Sequence, residues 1–136
     1  MNTLIILLLL GLAVAHCRVI HRCTVACVAR AAGAGDNTAN IVCLAAHASN
    51  YNTSLHYSPP DYGLFQINSY FWCADLETPG SKNGCNVLCT GLLNDDIYDD
   101  IKCVLRIIKD PNGFEAWDPW KQNCEGKDLS SYIEGC

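Results

Sequence analysis

The sequence predicts an α+β fold that is mostly helical and carries one small antiparallel sheet. Apolar residues recur at helical spacing in three separate stretches, whereas turn residues and β-formers are mixed between Asn50 and Ser69. Ten cysteines in 136 residues indicate, in addition, a disulfide framework. Such a framework stabilises a single domain with a modest core.

The first predicted helix covers residues 22–32, an alanine-rich stretch that ends at the glycines of residues 33–35. A second helix is expected within residues 36–49, with Asp36 or Thr38 as its N-cap. Its apolar face is formed by Ile41, Leu44, Ala45 and Ala48.

Residues 50–69 are expected to form the small sheet, and a loop rich in Gly, Pro and Asn follows at residues 77–84. The third helix is predicted within residues 95–110, where Ile, Leu and Val recur at helical spacing until Pro111-Asn112-Gly113 ends it. Short aromatic helical pieces are expected towards the C-terminus.

The first fifteen residues are predicted to be a secretory signal peptide, because an apolar run over residues 4–15 ends in the small residues Ala13 and Ala15. No Lys or Arg precedes the run, which leaves a membrane anchor as the alternative, although the run is too short to span a bilayer. We therefore expect one secreted domain at residues 16–136, with no membrane partner.

The net charge of −5 disfavours nucleic acid as a partner, because phosphate binding is driven by clustered Lys and Arg. The cysteine spacing does not give the paired knuckles of a structural zinc site. No cofactor is required by these features.

Several motifs resemble those of the C-type lysozyme and α-lactalbumin family. They are DYGLFQINS at 61–69, WC at 72–73, TPGSKNGCNVLC at 78–89, AWDPWKQNC at 116–124, and the spacing from Cys89 to Cys103. The resemblance runs from about Arg22 to the C-terminus. It implies a lysozyme-like fold, and we expect a monomer.

The resemblance also implies four disulfides, which join Cys23 with Cys136, Cys43 with Cys124, Cys73 with Cys89, and Cys85 with Cys103. Cys17 and Cys27 lie outside the family pattern. We expect them to bond to each other, with a free or intermolecular thiol as the alternative.

Lysozyme is the type example of retaining glycoside hydrolysis, in which a protonated and an ionised carboxyl group flank the scissile bond. The resemblance places Asp61 at the nucleophile's position. The proton donor's position, five residues after Cys43, is Ala48, and no Asp or Glu occurs between Asp36 and Asp61. A methyl group cannot donate a proton, so we expect muramidase activity to be lost.

The positions that the family uses to contact sugar match the family pattern better than the proton-donor position does. By resemblance they are Gln66, Asn68, Phe71, Trp72, Asp110, Asn112, Ala116 and Trp117. Flat aromatic faces with a few polar groups suit pyranose rings. The alternative is that the tryptophans are core residues, which is our expectation for Trp120.

The leading interpretation is a catalytically silent protein that binds N-acetylglucosamine-containing glycans or a protein partner. One alternative is an active glycosidase that hydrolyses the β-1,4 bonds of peptidoglycan with Asp61 and a substitute acid, His47 or Glu115. Another is an α-lactalbumin-like regulatory subunit of a partner enzyme.

The stretch GLLNDDIYDDIK at residues 91–102 resembles the calcium elbow of this family. The implied ligands are the side chains of Asn94, Asp99 and Asp100 and the carbonyls of Gly91 and Asp96. Asn94 replaces an aspartate and removes one charge, so affinity for calcium should be lower. The alternative is that these acids simply favour a helix N-terminus.

Overall fold

The computed structural model describes residues 19–136, so the predicted signal peptide and Cys17 lie outside the described residues. The helices are α1 (Arg22–Ala31), α2 (Thr38–Ser49), α3 (Tyr98–Ile107) and α4 (Asp118–Asn123). The strands are β1 (Asp61–Tyr62) and β2 (Ile67–Asn68). Short 3₁₀ helices occupy Gly35–Asn37, Cys89–Leu92, Gly113–Ala116 and Ser130–Tyr132. The predicted α+β, mainly helical class is confirmed.

The centre of the molecule is α2, which packs against α1 and α4. Its residues 41–45 are all fully buried, as expected for a helix that is apolar on every side at mid-length. The helix ends at Asn50, which adopts the left-handed conformation (φ 51°) that terminates many helices. No helix in the described chain is long and apolar enough to cross a membrane.

The predicted N-cap of α2 is wrong. Asp36 lies inside the 3₁₀ helix Gly35–Asn37, and no side chain caps the first turn of α2. The hydroxyl of Thr38 instead donates to the carbonyl of Gly35 at 2.7 Å. The 3₁₀ turn runs directly into the α-helix, so the extended cap residue that we expected has no place there.

The two strands form an antiparallel pair in which Asp61 lies opposite Asn68 and Tyr62 opposite Ile67. Gly63 begins the connection with φ at +79°. A Cβ atom on Gly63 would lie 2.1 Å from the carbonyl oxygen of Leu92, so this turn requires glycine. The tight turn fixes β1 against the 3₁₀ helix Cys89–Leu92.

The apolar face of α3 closes the core with Ile101, Val104 and Ile107, all buried. Asp100 is buried on the same helix. A carboxyl group in this position is unusual because burial disfavours its charged form.

Four disulfides hold the described chain together, and they join the same pairs that the resemblance implied. The bridge from Cys23 to Cys136 spans 113 residues and ties α1 to the C-terminal segment. Cys27 is exposed and bonds to no other described cysteine. Its predicted partner, Cys17, lies outside the described residues, so that bridge stays a prediction.

Candidate active-site cleft

A cleft opens beside β1 and is made of two adjoining cavities. The smaller has a volume of about 100 Å³ and contains Asp61 at its edge. The larger, of about 330 Å³, extends towards Asp110 and Asn112. Four residues line both cavities: Asn68, Trp72, Ile107 and Ala116. All eight predicted sugar-contact residues lie in these two walls.

Asp61 is held at the cleft edge by the pairing of β1 with β2, and its side chain is half-buried. Burial raises the pKa of Asp61 above its usual range, and the nearby His56 lowers it by a smaller amount. The ring of His56 donates from Nδ1 to the backbone carbonyl of Asp61 at 2.9 Å. Because a carbonyl only accepts, this contact assigns the proton to Nδ1.

Trp117 forms an apolar wall of the smaller cavity and is only 7% exposed. Its Nε1 donates to the carbonyl of Phe65 at 2.8 Å, which fixes the indole against the loop between the strands. Trp120 lines neither cavity; its Nε1 donates to Oδ1 of Asn40 at 2.9 Å and its ring stacks on Phe114. Trp117 therefore serves both core and cleft, whereas Trp120 has the core role that we expected.

The aromatic rim of the larger cavity is formed by Phe71 and Trp72. Phe71 is half exposed and carries the ammonium of Lys82 5.2 Å from its ring centre. Trp72 is less exposed, and the guanidinium of Arg106 lies 5.5 Å from its ring centre; a Cβ atom on Gly84 would lie 2.7 Å from the ring, so only glycine leaves room for it. Arg106 also pairs with Asp110 at 3.1 Å, so the rim is a connected set of charged and aromatic groups.

The polar residues at the floor of the cleft are partly committed to local hydrogen bonds. Nε2 of Gln66 donates to the carbonyls of Leu55 and Gly63, at 2.8 and 2.9 Å. Oδ1 of Asn68 accepts from the amide of Tyr70 at 2.6 Å. These contacts set the orientation of both amide groups before any ligand binds.

The position that the resemblance assigns to the proton donor is half-buried on α2, where Ala48 packs against the core. Its neighbour His47 is exposed and its Nε2 bonds to the hydroxyl of Tyr132 at 2.9 Å. Glu115 is exposed on the 3₁₀ helix Gly113–Ala116. Neither lines the cleft, so Asp61 is the sole carboxyl group in the wall of the smaller cavity within the described chain.

The ligands of the predicted calcium elbow stay a prediction, because they include only two acidic side chains, Asp99 and Asp100. Within residues 19–136, no three His, Cys, Asp or Glu side chains come together as a metal site. Oδ1 of Asn94 accepts from the amide of Asp96 at 3.0 Å, a contact within the loop. Both carboxyl oxygens of Asp100 are buried without a hydrogen-bond partner in the described structure. The unsatisfied Asp100 is therefore the one observation that supports a cation here.

Burial raises the pKa of Asp100 to about 8, and the nearby charges of Asp99 and Asp96 act in the same direction. Without a cation, the carboxyl group is therefore protonated at neutral pH. The negative charges of Asp99 and Asp96 repel a further negative charge on Asp100 and would attract a bound cation.

The sequence prediction of the site did not include Ile107, which lines the cleft, or His56, which contacts Asp61. Ile107 lines both cavities and lies three residues after the buried Val104, so the helical period contained the signal. His56 contacts the backbone of Asp61 from a segment without regular structure. No pattern in the sequence indicates that contact.

Comparison with known proteins shows the family of this chain. The model of the C-type lysozyme/alpha-lactalbumin family matches residues 16–136. Lysozyme C-3 of Sus scrofa is 44% identical over 146 aligned positions, which cover 100% of this chain and 99% of the relative. Lysozyme C of Bufo gargarizans andrewsi is 48% identical over 125 positions, covering 85% of this chain and 86% of the relative. The chain belongs to the C-type lysozyme/α-lactalbumin family.

Proposed function

We propose that this chain is a secreted protein of the lysozyme family that binds N-acetylglucosamine-containing glycans in its cleft without hydrolysing them. The observation that carries the proposal is the contrast between a cleft lined by the eight predicted sugar-contact residues and an alanine at position 48. Secretion is supported by the four disulfides, which are typical of oxidising compartments.

The missing step is proton donation to the leaving oxygen of the glycosidic bond. A positioned general acid typically contributes about 10² to 10⁴-fold to such a rate. Asp61 cannot fill both roles, because one carboxyl group must be protonated while the other is ionised and lies on the opposite side of the bond. His47 is directed to Tyr132, and Glu115 lies outside the cavities, which weighs against either as a substitute acid.

The binding step needs only the walls that are present. Phe71 offers an exposed ring at the rim, and Trp117 a buried apolar wall in the smaller cavity. Asp110 and Asn112 supply polar groups in the wall of the larger cavity. A sugar chain laid along both cavities would stack on the ring and hydrogen-bond to these groups, which gives weak, specific binding.

The test is a calorimetric titration with chitohexaose together with a bacterial cell-wall clearance assay. We expect binding without clearance. Phe71→Ala should weaken binding by about five- to tenfold, since an aromatic stacking contact contributes roughly 1 kcal/mol. Tyr57→Ala is the matched control, because Tyr57 is an exposed aromatic residue that lines neither cavity. Clearance above background would refute the silent assignment, and absence of binding would refute the glycan ligand.

A further inference from the structure

A second groove lies on the other side of β1 from the cleft. Asp61 lines the cleft and Tyr62 lines this groove, because successive residues of a strand face opposite sides. The groove has a volume of about 500 Å³ and shares no lining residue with the two cleft cavities. We call it the back groove and define it by Tyr62, Asp75, Leu76, Glu77 and Leu88.

The rim of the back groove presents two aliphatic side chains to solvent. Leu76 is fully exposed and Leu88 is 67% exposed. Single exposed apolar residues are common on protein surfaces, but here two of them flank one cavity with a buried tyrosine at its floor. An aliphatic side chain inserted between Leu76 and Leu88 would remove all three surfaces from water.

The groove is built rigidly. The segments that carry Leu76 and Leu88 are joined by the disulfide between Cys73 and Cys89. The amide of Ala74 donates to the carbonyl of Val87, and the amide of Cys89 donates to the carbonyl of Ala74, each at 2.9 Å. A preformed groove binds at a lower entropic cost than one that must be ordered by its ligand.

The charge of the groove is entirely negative. Among residues 19–136, Asp75 and Glu77 are the charged residues that line it, and no Lys, Arg or His does so. The carboxylate of Asp75 is fixed in place, because Oδ2 accepts from the hydroxyl of Tyr62 and Oδ1 accepts from the amide of Glu77 at 3.1 Å. The Tyr62 hydrogen bond also lowers the pKa of Asp75, so this carboxylate stays ionised.

We propose that the back groove is a docking site for a segment of a partner protein that places an aliphatic side chain next to an arginine or lysine. The aliphatic group would lie between Leu76 and Leu88 over Tyr62. The cation would pair with Asp75 and Glu77, and an arginine would add its planar fork and apolar stem.

The same charges argue against other occupants. Anionic lipid headgroups and phosphates would meet the Asp75 and Glu77 carboxylates. A second copy of this chain would bring its own net charge of −5 against the acidic rim. A basic segment is the occupant whose charge complements the groove.

The experiment measures fluorescence anisotropy of two labelled peptides, Leu-Arg-Leu-Arg-Leu and Leu-Glu-Leu-Glu-Leu, titrated with the full chain. We expect the basic peptide to bind at least about tenfold more tightly than the acidic one, since like charges at an interface disfavour association. Chitohexaose should not compete, because the back groove and the cleft share no residue.

Leu76→Ser and Glu77→Lys should each weaken binding of the basic peptide by roughly tenfold, through lost apolar burial and reversed charge. Both side chains are exposed, so the fold should be unaffected. Val19→Ser and Glu125→Lys are the matched controls, since these side chains are exposed and lie outside the groove; they should leave binding unchanged.

Three outcomes would overturn the proposal. The first is that the basic peptide fails to bind at millimolar protein concentration. The second is that both peptides bind equally, which would show that the groove is an unspecific apolar surface. Alternatively, sedimentation equilibrium shows a dimer of the unmodified chain that Leu76→Ser dissolves, which would make a second copy the occupant.

Discussion

The indole nitrogen of Trp117 lies 2.8 Å from the carbonyl oxygen of Phe65, and this hydrogen bond joins the wall of the cleft to the loop between β1 and β2. The bond is buried, so water cannot replace it when it is lost. The geometry of the cleft and the stability of the fold therefore depend on the same contact.

Trp117→Phe should lower the free energy of unfolding by about 1–3 kcal/mol, because the carbonyl of Phe65 would be left buried without a donor. Urea denaturation measures this loss. Trp120→Phe is the comparison: its Nε1 bonds to a half-buried asparagine side chain, where water can substitute, so a smaller loss is expected. Equal losses in the two variants would contradict this assignment.

Ala48→Glu should introduce a weak muramidase activity, on the order of 10²-fold above the unmodified chain, by supplying the absent general acid. The activity should vanish in the Ala48→Glu, Asp61→Asn double variant, which removes the second carboxylate. Ala46→Glu is the control, since residues two positions apart on a helix face different directions. Cell-wall clearance is the measurement. Activity in Ala46→Glu, or its persistence in the double variant, would show that the position and role of these groups are misassigned.

Asp100 should make stability fall as pH rises, when calcium is removed by a chelator. Its pKa is raised to about 8 in the folded chain, against 3.8 as the ordinary value, so the folded state binds more protons between these limits. The free energy of unfolding should therefore decrease over this window, with a slope of up to about 1.4 kcal/mol per pH unit.

Melting temperatures from pH 4.5 to 8 measure the effect. Asp100→Asn should flatten the profile because it removes the titrating group at nearly constant size, while Asp99→Asn should keep a falling profile that ends at a lower pH, since Asp99 is one of the charges that raise the pKa of Asp100. A profile for Asp100→Asn that still falls as steeply would assign the pH dependence to other groups.

Calcium should raise the melting temperature if the elbow binds it, because a ligand specific to the folded state stabilises by mass action. We expect a rise in millimolar calcium relative to a chelator, a larger rise for Asn94→Asp, and none for Asp100→Asn. Magnesium at the same concentration is the control ion. An unchanged transition of the original chain would exclude the site.

Most of the fold could be predicted from the sequence, because hydrophobic periodicity is a local signal and the disulfides follow from the family pattern that the cysteine spacing resembles. Ile41, Leu44 and Ala45 of α2 are buried, as the predicted apolar face requires, and both strands lie within the predicted sheet segment of residues 50–69. The start of α2 was mispredicted because Asp36 and Thr38 suit a cap by residue type, whereas the preceding 3₁₀ turn takes up that backbone.

The tertiary contacts made by irregular segments could not be predicted from the sequence. The contact of His56 with Asp61 comes from the irregular segment between α2 and β1, where the amide of Gly63 donates to the carbonyl of Leu55 at 2.8 Å. The back groove likewise depends on how Leu76 and Leu88 are brought together across a disulfide, which residue type alone does not indicate.

Gly63 also bears on how proteins of this family are sorted into enzymes and non-enzymes. Its positive φ and the clash that a Cβ atom would make with the Leu92 carbonyl exclude any side chain, and Tyr62 beside it is part of the core. Both residues of the Asp-Tyr-Gly motif that follow the carboxylate thus have a structural role of their own: Gly63 in the turn and Tyr62 in the core. The presence of Tyr62 and Gly63 therefore gives no information by itself on whether a chain of this fold hydrolyses a glycan. The position that bears on catalysis is residue 48 of α2, because packing there does not require a carboxylic acid.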